Sequence, residues 1–137
     1  MKDRTLAHIG YVVRDMKGAL RRFQREGAEV VISPGHDPVQ RVEVCLLRAG
    51  GVDIELVAPM DPEDCPLKGR LASGGGLDHI CFYVDDLDEA LAEEQGQGAM
   101  VVCEPCDAAV FGERVAFVHR RSGLVVELMT NRNTRGD

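Results

Sequence analysis

Two histidines and two glutamates in this 137-residue chain recur at matching places of an internal duplication. His8-Ile9 returns as His79-Ile80, at an offset of 71 residues. Ile54-Glu55-Leu56 returns as Val126-Glu127-Leu128, at an offset of 72. Two imidazoles and two carboxylates are a nitrogen and oxygen donor set suited to a divalent first-row metal. Such a set leaves coordination positions for water or substrate, as a catalytic site requires. One strand histidine among apolar neighbours is ordinarily a hydrogen-bonded core residue, and one strand glutamate a solvated edge. It is the recurrence of both types in both copies that selects the metal reading.

The shared register extends well beyond the four donors. The offset of 71 pairs Tyr11 with Phe82, Val13 with Val84, Asp15 with Asp86, and Ala19-Leu20 with Ala90-Leu91. It continues through Gly27-Ala28 against Gly98-Ala99, Val30-Val31 against Val101-Val102, and Pro34 against Pro105. A duplicated module follows from this. Module one spans residues 5–59, a linker 60–76, module two 77–130, and a polar tail 131–137.

The elements that must position the donors are the same in both copies. Residues 5–14 read as a strand, and Asp15 as the cap of a helix reaching residue 25. A strand at 28–33, a loop at 34–38, and strands at 40–48 and 52–58 complete the module. Module two repeats the order, with strands near 77–84, 99–103, 113–119 and 123–130 and a helix at 86–95. Side chains alternate across a strand, and each helix must cover one sheet face. Ile54 and Leu56 meet the helix, which leaves Glu55 on the uncovered face; Val126 and Leu128 do the same for Glu127. Ile9, Tyr11 and Val13 likewise turn His8 away from the helix, and Ile80, Phe82 and Val84 turn His79. The expected fold class is α+β, two βαβββ modules in tandem whose mixed sheets curve around one cleft holding His8, Glu55, His79 and Glu127.

Composition removes several classes of function. Acidic residues outnumber basic ones, 23 to 16, for a formal net charge of −7. That balance counts against nucleic acid and against an anionic membrane surface as partners. No apolar run reaches the roughly 18 residues of a membrane helix. Behind Met1-Lys2-Asp3-Arg4-Thr5 there is no apolar segment of the signal-peptide kind. The five cysteines, Cys45, Cys65, Cys81, Cys103 and Cys106, read as reduced thiols of a cytoplasmic protein. A small-molecule substrate is the partner that remains. An exposed sheet edge and an uncovered face in each module make burial by a partner the expectation.

The residue strings that carry the pattern are Ala7-His8-Ile9-Gly10, Ile54-Glu55-Leu56-Val57-Ala58-Pro59 and Cys65-Pro66-Leu67-Lys68-Gly69-Arg70-Leu71. Gly76-Leu77-Asp78-His79-Ile80-Cys81, Phe117-Val118-His119 and Ser122-Gly123-Leu124-Val125-Val126-Glu127-Leu128 continue it. Over residues 5–130 the chain resembles the vicinal oxygen chelate superfamily of glyoxalases, bleomycin-resistance proteins and dioxygenases, and within it the methylmalonyl-CoA epimerases. The resemblance implies one divalent ion (Co, Ni, Zn, Mn or Mg) on His8, Glu55, His79 and Glu127. It implies proton abstraction α to a carbonyl, on an acyl-CoA or another 1,2-oxygenated compound, with Glu127 both ligand and base. Where the family carries its second catalytic glutamate this chain departs from the pattern and reads Asp37-Pro38-Val39, which makes Asp37 a candidate for the second role and Glu43 another.

Alternatives within the same fold are a lactoylglutathione-lyase type of enzyme and a metal-free antibiotic-binding protein. Such binders replace the ligands and line the cleft with aromatics, whereas this chain keeps all four ligands and has 4% aromatic residues and no tryptophan. An extradiol dioxygenase uses two histidines and one carboxylate and a longer chain.

Other motifs carry less. Cys103-Glu104-Pro105-Cys106 lacks the second CxxC of a zinc ribbon and the helix start of a thioredoxin motif. His119-Arg120-Arg121 is a basic cluster suited to a substrate phosphate or carboxylate. Cys81 replaces Gly10 in the repeat and faces as His79 does. Gly74-Gly75-Gly76 reads as a flexible hinge. Glu93-Glu94 with Asp85, Asp86 and Asp88 reads as a solvated acidic face, and the terminal Arg-Gly-Asp as accidental.

Overall fold

A computed structural model describes residues 3–108 and 113–130. It begins with β1 (Thr5–Val12), α1 (Met16–Arg25), β2 (Glu29–Asp37), β3 (Val42–Ala49) and β4 (Val52–Pro59). The short α2 (Lys68–Ala72) follows in the expected linker. Then come β5 (Gly76–Val84), α3 (Leu87–Gly96), β6 (Met100–Asp107), β7 (Arg114–His119) and β8 (Val125–Thr130). The β-α-β-β-β order thus occurs twice. The polar tail and its Arg-Gly-Asp lie outside the described residues. No helix among the described residues is long and apolar enough to cross a membrane.

Equivalent residues start and stop the two long helices. Asp15 and Asp86 hold extended backbone just before α1 and α3. Asp86 accepts the Glu89 N–H at 3.0 Å, satisfying a first-turn donor. Asp15 occupies the same position without a side-chain cap bond. At the far ends, Ala28 N–H donates to the Phe23 carbonyl and Ala99 N–H to the Glu94 carbonyl, each at 3.0 Å. This is the same helix-terminating hydrogen bond in both copies.

The described residues divide into two compact units, His8–Asp78 and the residues on either side of it. In His8–Asp78 the strand order is β2-β3-β4-β1. β1 runs parallel to β4, while β3 is antiparallel to both its neighbours. Met16 of α1 packs with Cys45, Leu47, Leu56 and Ala58, joined by Val13, Ala19, Leu20, Phe23 and Ile54. The other unit has the order β5-β8-β7-β6, with β5 parallel to β8. There Leu87, Ala90 and Leu91 of α3 pack on Ala116, Val118, Val126 and Leu128, with Phe82 against them. Tyr11 departs from expectation, being 40% exposed. It shares the Leu56 row, but the core under α1 is built from β3 and β4.

β2 and β6 run further than local pattern indicates, past Pro34 and Pro105. Register shifts absorb the prolines, between Val30 and Gly35 in β2 and between Val101 and Cys106 in β6. A proline lacks a ladder donor, so it is tolerated at a bulge in an edge strand.

The expected glycine hinge is a turn of defined hand. Gly75 has φ +79°, and a Cβ there would stand 2.7 Å from the Val12 carbonyl oxygen. Gly75→Ala is therefore expected to cost about 1–3 kcal/mol, seen as a lower urea midpoint at unchanged m-value. An unchanged midpoint would show that the turn yields to the added methyl.

Candidate functional site

Strand register builds the first donor pair. Gly10 of β1 stands opposite Glu55 of β4, and His8, two residues before Gly10, shares its face. Ile54, Leu56 and Ala58 occupy the other face beneath α1. His8 and Glu55 are consequently buried on the side the helix leaves uncovered, with Nε2 of His8 3.4 Å from Oε2 of Glu55. The other unit repeats the arrangement. Cys81 stands opposite Glu127, and Nε2 of His79 lies 3.1 Å from Oε1 of Glu127. Phe117, opposite Glu127 on β7, sets its ring edge-on to the His79 imidazole with centroids 5.4 Å apart. All four donor residues are at most 7% exposed.

The pair distances fit a shared ion. Two donor atoms each about 2.1 Å from one metal are about 3.0 Å apart at a right angle and about 3.4 Å at the tetrahedral angle. A dry carboxylate is costly unless a cation or a set of hydrogen bonds compensates it. Each pair thus offers an ion one imidazole nitrogen and one carboxylate oxygen.

The model of the Glyoxalase/Bleomycin resistance protein/Dioxygenase superfamily matches residues 7–117. The chain belongs to this superfamily. An ethylmalonyl-CoA/methylmalonyl-CoA epimerase of Cereibacter sphaeroides is 31% identical over 129 residues, covering 90% of this chain and 95% of that protein. The mitochondrial methylmalonyl-CoA epimerase of Bos taurus is 30% identical over 129 residues, covering 90% of this chain and 72% of its own. Among solved structures, the methylmalonyl-CoA epimerase of Mycobacterium tuberculosis superposes with a TM-score of 0.78 at 25% identity. That match covers 92% of this chain and 87% of that one.

Against this superfamily frame the remaining site residues separate. Asp37 ends β2 opposite Val42, in the row of Pro59, four residues along β4 from Glu55. Its Oδ1 accepts the N–H groups of Val39 and Gln40 at 3.0 and 3.1 Å, so it also shapes the turn that follows. Glu43 shares the Ala58 row, on the α1 side, opposite to Glu55. Its carboxylate lies 3.7 Å from Nε2 of His36. Cys81 has the expected facing and is fully buried against Val115 and Met129.

The basic cluster divides three ways. His119 ends β7 opposite Val125, two rows from Glu127 and on its face. Arg121 is exposed, its guanidinium over Gly98. Arg120 pairs with Glu94. Its Nε and a terminal nitrogen donate to the two Glu94 oxygens at 3.0 and 2.9 Å. Arg4 donates to the same carboxylate at 2.5 Å.

Glu94 itself is 2% exposed, against the expectation of a solvated acidic face. The signal was present in its helical spacing from Leu87, Ala90 and Leu91, which places it on the apolar stripe. Burial works to raise its carboxyl pKa. The hydrogen bonds and charges of Arg120 and Arg4 outweigh that and hold it below the ordinary carboxylate range. A lowered native pKa adds stability that is present above the unfolded carboxylate value and is lost as pH falls through the native one. Urea midpoints measured from pH 7 downward should therefore show a wild-type advantage over Glu94→Gln that shrinks below about pH 4.5. Near pH 7 that variant, which takes the carboxylate from Arg120 and leaves Arg4 its contact with Glu93, is expected to be about 3 kcal/mol less stable. Equal midpoints at neutral pH would refute the assignment.

Proposed function

We propose that this chain is a divalent-metal-dependent epimerase that moves a proton on the carbon α to the thioester carbonyl of an acyl-CoA. The observation that carries the reading is the buried His–Glu contact made twice, at matching positions of the duplication. Its support from outside is that relatives aligned over nine-tenths of the chain are epimerases of methylmalonyl-CoA and ethylmalonyl-CoA. In this reading His8, Glu55, His79 and Glu127 together hold one ion of the Co, Ni, Zn, Mn or Mg kind. An ion so held would polarise the substrate carbonyl and stabilise negative charge on its oxygen.

The chain's own residues then handle the proton. Glu127 removes the α proton on its side, its carboxylate oriented by the His79 imidazole. Phe117 fixes that imidazole in turn. Asp37 delivers a proton to the opposite side, so that the carbon inverts with no net change in composition. His119, on the Glu127 face, is the residue of the basic cluster left to meet the substrate's anionic groups. We further propose a homodimer in the cytoplasm. β2 lies at one end of the strand order and exposes Val30 and Val31.

Purified protein loaded with divalent ions and desalted is expected to retain about one ion per chain. Glu127→Ala and His79→Ala should lose it while remaining folded. With methylmalonyl-CoA in heavy water, Glu127→Gln should slow α-proton exchange by about 10²–10⁴-fold. Asp37→Asn should keep exchange on one face and lose inversion. A folded wild type that holds no ion overturns the proposal. Full inversion by Asp37→Asn removes Asp37 from it.

A further inference from the structure

Cys103 and Cys106 take no part in the proposed reaction. They stand three residues apart on β6, a spacing that turns side chains to opposite faces of a regular strand. The register shift between them alters this. Cys103 pairs with Phe117 and Cys106 with Val115, two β7 residues on one face. Both sulfurs come to the same side and meet at 4.0 Å. Each residue is half-buried and carries a free thiol. β6 is at the end of the strand order, so reagents can approach. Pro105 sits in the bulge between them, where its locked φ limits the shapes the segment can take.

We propose that Cys103 and Cys106 form a reversible dithiol–disulfide site, oxidised by exchange with a low-molecular-weight disulfide. A disulfide bond is about 2.05 Å long, so closure brings the sulfurs about 2 Å nearer. In the first step one protein thiolate, having given its proton to water, attacks the external disulfide. The external S–S bond breaks, one external thiolate leaves and takes up a proton, and a mixed disulfide forms. The second protein thiol then loses its proton and attacks the protein sulfur of that mixed disulfide. The second external thiol departs and the Cys103–Cys106 bond forms. Two electrons and two protons pass from the pair to the external disulfide, which becomes two thiols.

Burial, reinforced by the neighbouring Cys106 sulfur, pushes the Cys103 thiol above its ordinary range. Either thiol can attack first, and the other then resolves the mixed disulfide. No helix start lies at the pair to acidify it, so the site follows the ambient thiol–disulfide balance and does not catalyse exchange for other proteins. It shares a sheet row with Phe117 and Glu127, which puts the modification on the site's own face.

The test uses the full chain, equilibrated across ratios of reduced to oxidised glutathione, acid-quenched, alkylated and weighed. Two of the five thiols are expected to disappear together at oxidising ratios. Peptide fragmentation should link Cys103 to Cys106, and dithiothreitol should restore both. Cys103→Ser and Cys106→Ser, each checked for native circular dichroism, should lose the link. Cys103→Ser should instead accumulate a glutathione adduct on Cys106, because the thiol that would resolve it is gone. Wild type that stays fully alkylated at every ratio, or that ends as a lasting glutathione adduct, overturns the proposal.

Discussion

One helix can cover only one face of a four-stranded sheet, and everything else in this chain is arranged around that limit. Side chains alternate with period two, so the covered face takes every second residue of β4 and β8. Ile54, Leu56, Val126 and Leu128 use it. The intervening positions cannot reach the helix, and there the chain buries a glutamate beside a histidine. A slip of one residue in either strand would drive the carboxylate into the apolar core and expose the core residues instead. Register is therefore held by the same apolar contacts that define the donors.

Two kinds of buried carboxylate result, and their partners distinguish them. Glu94 lies against the guanidinium groups of Arg4 and Arg120, cations that stay charged at any working pH. That arrangement completes itself and serves cohesion, tying the segment before β1 and the β7–β8 turn to α3. Glu55 and Glu127 lie against imidazoles, which either carry a proton or offer a lone pair. A carboxylate and a neutral imidazole side by side are two donors to a third party. The difference between structural and chemical burial is thus a difference between permanent and conditional cations.

The buried His–Glu pairs and the module order were legible in the sequence because duplication supplied a second reading of every position. Alternation then assigned the faces of His8, Glu55, His79 and Glu127 without any knowledge of contacts. What was hidden arises between strands or far along the chain. The extensions of β2 and β6 past their prolines are register events, and periodicity within one strand does not record them. The facing of Glu43 depended on where β3 meets β4. Glu94 was misread because a run of acidic residues looks solvated until a helix stripe turns one of them inward. Arg4 is 90 positions from Glu94, beyond any local pattern. The packing of α1 on β3 and β4, with Tyr11 left 40% exposed, is likewise a tertiary outcome.

The residue opposite each glutamate differs between the copies: Gly10 faces Glu55, and Cys81 faces Glu127. Gene duplication at first made these neighbours identical along with the donors. The His and Glu positions have the same identity in both copies. Their neighbours are released from that symmetry and free to diverge, one toward no side chain at all and the other toward a packed thiol. Ancestral equivalence has thus become a division of labour, in which donor identity is common property and local volume belongs to each half. The space beside each glutamate can change through these neighbours alone, leaving the His and Glu residues as they are.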